Sequence, residues 1–451
     1  MSFIDKETLN VLRVSLSMMI LFTAVLSHEF IEEPLIVSFS QAGIGGIQKH
    51  DGYLALCLVY LFNTLSCLFA PFVVTRISGK WSMAMGMGTM LTFQLSFLVP
   101  ERALLLSTAS LTGIGATLFW VGQGQYITEN VSEKNMEKNT SFQWGFFKMS
   151  LIYGGVFFFW FFQNQSIQEV VNDGKVPIFI GAFVACSLIA ILNTLFLPQS
   201  GMSKDRVHLP FSQTTVDCLK LLKTCRMICF ALFFFYTGFV RSFWISIYPS
   251  CIKFTSTLAL NTSSLLSVGM IVTGCGQVIG SVFVTIVGKS ARKVGKHVLV
   301  IFALTLHIIL FVLISMCFPN DAPLGHTEKV GPVFRANVYV AMTISGLLGF
   351  GDAVLQTQVY AYVAELYKKE SSSVFAIFRF FSGIASTIMF FSAQYFTLAC
   401  HLSILIVTAL IAGFAVLGIR KMSKKKEKEN PATIVAVFHI RTPPNGSVSI
   451  N

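Results

Sequence analysis

The stretch VLVIFALTLHIILFVLISMC, residues 298–317, carries no formal charge over 20 residues. Coiled as an α-helix at 1.5 Å per residue it reaches about 30 Å, the thickness of a bilayer's hydrocarbon core. In lipid every backbone N–H and C=O must be paired within its own segment, so such a run is a membrane-crossing helix. Working outward, comparable runs recur at 11–28, 53–74, 82–99, 103–126, 142–162 and 177–197 on one side of a polar stretch, and at 228–248, 265–287, 338–361, 374–396 and 402–419 with the quoted run on the other. The pattern predicts an all-α polytopic membrane protein of twelve transmembrane helices in two six-helix bundles. The expected units are an N-terminal bundle over 1–200, a cytoplasmic linker over 201–227, a C-terminal bundle over 228–422 and a basic, flexible cytoplasmic tail over 423–451.

Composition agrees. The chain is 54% hydrophobic and 12% charged, where a soluble domain carries roughly 25% charged residues. Nothing in it points to an enzyme. The net charge of +12 does not indicate nucleic acid, because the basic residues sit in short loops and the tail. With the N-terminus in the cytoplasm, 23 of the 33 Lys and Arg fall in cytoplasmic segments and six outside. That bias predicts both termini inside, in a plasma membrane or an endomembrane. Ten cysteines form no CxxC pair and no ligand spacing, so no metal and no cofactor is expected. The first apolar run follows Lys6 and Arg13 without a small-residue cleavage site and is read as a retained span.

The halves echo each other. VVTRISGK, Val73 to Lys80, follows the second run and FVTIVGK, Phe283 to Lys289, ends the eighth. Gln123-Gly124-Gln125 and Gln356-Thr357-Gln358 occupy similar places in the fourth and tenth. Internal repeats of this kind build the central path of many transporters.

Together the layout, the basic loops and the linker resemble the major facilitator superfamily. GIGATLFWVGQGQYIT, Gly113 to Thr128, resembles the fourth-span signature of the uncoordinated-93 family. YTGFVRSFW, Tyr236 to Trp244, GFGDAVLQTQ, Gly349 to Gln358, and FAIFRF, Phe375 to Phe380, resemble its major facilitator domain-containing eleven branch. The resemblance implies alternating access between two helical bundles. Relatives regulate a potassium channel or escort immune receptors, so it also implies a channel or receptor partner as the alternative. Many members carry an Asp where Thr75 stands here, which speaks against their proton-linked gating relay.

Charges inside spans point to pathways, because insertion at mid-bilayer costs about 2.5–3.5 kcal/mol each. Asp352 and Arg379 fall at one expected depth on adjacent spans, as a structural or a gating ion pair. Arg241 is expected about 10 Å from Asp352 in height, at the outer interface or facing an anionic solute. Trp120, Gln123, Gln125 and Gln356 border the expected cavity, or bond between helices as packing. His28 to Glu33 lacks the second histidine of a zinc helix and is read as a solvated outer mouth. Of the Asn-x-Ser/Thr sites, only Asn164 and Asn261 fall outside, with partial glycosylation expected at Asn261. The predicted partners are the lipid bilayer and an unknown small solute, or in the alternative an ion channel or receptor.

Overall fold

The computed structural model describes residues 6–67, 69–198, 218–259, 261–294, 296–367 and 370–429. Most of the expected linker and the end of the tail therefore lie outside the described residues. The described residues are predominantly α-helical, with one isolated β-bridge between Thr255 and Thr327. The elements are α1 (Lys6–Gln41), α2 (Asp51–Ser66), α3 (Ala70–Ile77), α4 (Gly79–Ser96), α5 (Arg102–Asn130), α6 (Glu133–Phe161), α7 (Ile167–Asn172) and α8 (Val176–Leu195), then α9 (Cys225–Ser242), α10 (Tyr248–Phe254), α11 (Thr262–Val294), α12 (His297–Cys317), α13 (Val338–Leu366), α14 (Ser371–Ala393) and α15 (Leu398–Glu429).

Ten helical segments of the described residues are long and apolar enough to cross a membrane, with α9 and α10 counted as one. The expected run at 53–74 is interrupted: α2 ends at Ser66 and α3 starts at Ala70. Pro71 follows at once, and proline lacks the N–H and has a ring that clashes with a continuing helix. The run at 82–99 becomes α4, only 18 residues long and rich in Gly, Ser and Thr.

Two expectations about span ends need correction. The first helix does not stop at Ser27 or His28 but continues through the acidic residues and Pro34 to Gln41. The segment after Pro34 is apolar again and buried: Leu35, Ile36, Val37 and Phe39 are each at most 2% exposed. The seventh span likewise runs on to Phe254, through a wide π-turn at Phe243–Ile247. There Tyr248 N–H reaches back to the Phe243 carbonyl. Pro249 explains the register, because it supplies no N–H to continue an α-helical ladder.

Two glycine seams hold the bundle. In the first half α4 lies against α5, where a Cβ on Gly86 would stand 2.3 Å from the Gly115 carbonyl oxygen. In the second half α11 lies against α13, where a Cβ on Gly276 would stand 2.0 Å from the Gly346 carbonyl oxygen. Lipid gives apolar helices little reason to associate, so close backbone approach and interhelical bonds do the work. The halves meet through α2 on α14 and α6 on α11, with α1 against the π-turn and α10.

Candidate functional site

The side chains between the halves are charged, and the helix extensions put them there. Arg241 lies 13 residues before Phe254 and Asp352 lies 14 residues after Val338. Those two helix ends are neighbours, since Arg335 Nη2 donates to the Thr257 carbonyl at 2.9 Å. Both charges thus stand about 20 Å below one end, level with each other. The expected height difference arose from ending the seventh span at residue 248.

Arg241 donates from Nε to the Tyr60 hydroxyl at 3.2 Å, crossing from α9 to α2. Its charge also acts on Glu29 of α1 and on Asp352. Asp352 is 6% exposed, and the cations acting on it are Arg241 first and Lys148 second. Lys148 of α6 donates to the Ser281 hydroxyl of α11 at 2.5 Å. Gln356 lies one turn beyond Asp352, and Trp244 of the π-turn approaches it too. Among the described residues Asp352 Oδ1 and Trp244 Nε1 are buried without a hydrogen-bond partner. A ring of partly satisfied polar groups from α1, α2, α6, α9, α11 and α13 is the result.

Toward the end carrying the start of α1, aromatic rings from both halves close the space. Trp120 stacks on Trp144 at 5.8 Å between centroids. Trp144 meets Tyr360 at 5.6 Å, and Tyr360 meets Phe375 at 5.1 Å. The Arg379 guanidinium carbon lies 5.0 Å from the Trp120 ring centroid. The expected Asp352–Arg379 pair is not formed. α14 packs on α9 and α2 and barely touches α13, so Arg379 faces the first half of the chain instead.

At the opposite end the acidic turn of α1 is buried, not a solvated mouth. Glu32 and Glu33 are 0% exposed and His28 is 2% exposed. Glu33 Oε1 pairs with His50 Nδ1 at 2.6 Å, and Oε2 accepts the Tyr53 N–H at 3.0 Å. Both Glu32 carboxyl oxygens lack a partner among the described residues. The glycine loop beside it is a built turn: Gly43, Gly45 and Gly46 all have φ between 61° and 68°. Gly45 is pressed so closely on Pro100 that a Cβ would meet its carbonyl oxygen at 1.7 Å. Asp51, held by Arg102 at 2.9 and 3.2 Å, ties the same loop to α5.

The remaining sequence candidates divide cleanly. Trp120, Arg241, Asp352, Gln356 and Arg379 are brought together between the halves. Gln123 instead donates to Gln143 at 2.8 Å, and Gln125 to Glu129 at 2.6 Å, as bonds within the first half. Tyr60, Trp144 and Tyr360 are not among the sequence candidates, and Glu29 is among them only as part of the stretch read as a solvated mouth. Tyr60 and Tyr360 sit in apolar runs that give them no local signal. Glu29 had one, since apolar sequence resumes after Pro34. Among the described residues no group of three or more His, Cys, Asp or Glu could hold a metal ion.

Asn261 caps α11. Its Oδ1 accepts from Ser263 N–H at 3.0 Å and Ser264 N–H at 3.2 Å, and its Nδ2 donates to the Phe162 carbonyl at 3.1 Å. Asn164, by contrast, is exposed. Asn261→Ala should therefore cost about 1 kcal/mol as a lost cap, and Asn164→Ala close to nothing. Any glycan should survive Asn261→Gln. A deglycosylation mobility shift that disappears in Asn261→Gln would show that the cap opens for modification.

A model of the family described as ion channel regulatory protein UNC-93 matches residues 43–417. The chain is 25% identical over 429 residues to the UNC93-like protein MFSD11 of Xenopus tropicalis, covering 89% of this chain and 94% of that protein. Among solved structures it is similar to a D-xylose-proton symporter, with TM-score 0.66 and 11% identity over 91% of this chain and 96% of the symporter. The nucleoside transporter NupG gives TM-score 0.62 and 14% identity over 92% of this chain and 100% of that chain. At such identities the likeness concerns the fold alone, which this chain shares with both transporters. With the family model spanning most of its length, this multi-pass membrane protein belongs to the UNC-93 family.

Proposed function

We propose that the protein is a solute transporter working by alternating access, with its path between the two halves of the chain. One observation carries the reading. Glu29, Lys148, Arg241, Asp352 and Arg379 come from five helices of both halves and meet between them incompletely paired. Each charge at mid-bilayer is costly, and packing alone could be met by apolar side chains at no such cost. The reading counts twelve helices, taking α2 with α3 as one broken span and α4 as another, six in each half. It places both termini and the linker in the cytoplasm, on the strength of the positive loops.

A second reading has the family's description as an ion channel regulatory protein behind it: an accessory protein that keeps the fold, transports nothing and regulates an ion channel. Cysteine placed at Gln356, with the exposed Cys225 and Cys400 replaced by serine, separates the two. In a transporter it should react with a small polar thiol reagent added from at least one side. Vesicles holding this protein alone should also show solute flux. Full protection from both sides together with absent flux would leave the accessory reading.

A further inference from the structure

We propose that Arg379 is the recognition cation for a small organic monoanion, a carboxylate on an apolar body, which binds by lifting the guanidinium off Trp120. The proposal deepens the transporter reading and rests on it for the route by which the anion arrives.

Arg241 has Tyr60 as hydrogen-bond acceptor and Glu29 and Asp352 in its field. Lys148 has the Ser281 hydroxyl and Asp352. Arg379 is different. Among the described residues it has only ring contacts, with Trp120 at 5.0 Å and Phe378 at 5.8 Å, and its charge acts on Tyr60 and Cys67. Guanidinium carries five N–H donors and keeps its charge at any physiological pH. A ring face attracts that charge but does not take up the planar fork of donors. A carboxylate does, with two parallel charge-assisted bonds. One unpaired cation calls for one negative charge, which favours a monoanion over a dianion.

The surroundings suit an apolar body. Beyond Trp120, whose ring the guanidinium faces, the aromatic surface continues ring to ring through Trp144, Tyr360 and Phe375. They also place the site at a joint. Trp120 belongs to α5 and Arg379 to α14. One turn beyond Arg379, a Cβ on Gly383 would meet Thr64 Oγ1 of α2 at 2.1 Å, so the two halves cross at close quarters there. An anion that competes with Trp120 for Arg379 weakens the contact between the halves at the point where they must part.

The test uses the full purified chain in detergent and labelled benzoate as probe. Benzoate should bind, while benzamide, with the same ring and no charge, should not compete. Arg379→Gln should weaken benzoate binding at least about tenfold, as expected for losing a charge-assisted hydrogen-bond pair, and Arg379→Lys should fall between. Trp120→Leu should tighten binding by about threefold or more, because the guanidinium no longer has to leave the ring. A merely structural arginine would not produce that gain, and the Trp120 variant keeps the test open if Arg379→Gln does not fold. Equal competition by benzamide, tighter binding of inorganic phosphate, or weaker binding in Trp120→Leu would each overturn the proposal. Solute flux with no benzoate binding would remove this site and leave the transporter reading. Benzoate binding without flux of any solute would do the reverse.

Discussion

Gly276→Leu should yield almost no folded protein, whereas Gly88→Leu should express and purify like the parent. A Cβ on Gly276 would lie 2.0 Å from the Gly346 carbonyl oxygen, 2.9 Å from its carbon and 3.1 Å from its Cα. All three atoms are backbone, so no rotamer change relieves the contact and α11 must separate from α13. Overpacking a core with flexible neighbours costs about 1–3 kcal/mol. Here the separation also strips the neighbouring contacts of Gly280 and Gly349, whose added Cβ atoms would meet the Phe350 and Thr273 carbonyl oxygens at 2.6 and 2.3 Å. Several kcal/mol are then lost from a total stability of about 5–15 kcal/mol. Gly88 has nothing within 4 Å of its added Cβ, so leucine there should gain helix propensity. The measurement is monodisperse yield after detergent extraction, with the thermal unfolding midpoint of what survives. A Gly276→Leu protein that extracts and melts normally would mean that α11 and α13 do not cross at this residue.

How far the sequence led is clearest at particular helices. Apolar length located the spans well, because the bilayer imposes one length on all of them. It failed where a helix is not apolar along its whole run. In α1 the buried Glu32 and Glu33 read as solvent-facing, since a stretch of acids next to Pro34 usually ends a span. Glu33 is held by His50 and the Tyr53 N–H, which lie 17 and 20 residues on, and Glu32 is buried beside it with no partner among the described residues. Local sequence holds no sign of that pairing. The π-turn was hidden likewise, although Pro249 inside an apolar run is a mark that a ladder must change register there. Depth counting then failed for Arg241 by the length of the omitted turns. For Arg379 the depth shifts too, since it lies eight residues after Ser371 while Asp352 lies 14 before Leu366, about 9 Å apart in height. Height along a helix says nothing about which way a side chain points, and α14 turns this one toward Trp120.

Replacing Arg241 should be the most damaging of the charge substitutions, and replacing Asp352 as well should restore part of the loss. Arg241→Leu leaves Glu29 without its cation, removes the donor to Tyr60 and leaves Asp352 with Lys148 alone. Removing one partner of a buried ionic group typically costs about 3–5 kcal/mol, because the charge left behind is uncompensated. Asp352→Leu should cost less, since Arg241 then keeps both Glu29 and Tyr60. In the double variant one of the two acids that lose Arg241 is gone, so the combined loss should fall short of the sum by about 0.5–3 kcal/mol, the range for coupled neighbours. Arg379→Leu combined with Asp352→Leu supplies the contrast. These two share no partner, and their losses should add within about 0.5 kcal/mol. Thermal unfolding midpoints of all five variants against the parent decide the matter. Coupling between Asp352 and Arg379, with additivity between Asp352 and Arg241, would mean that α14 faces α13 after all. The charge on Arg379 would then have an acid of its own, and the site proposed for an anion would already be filled.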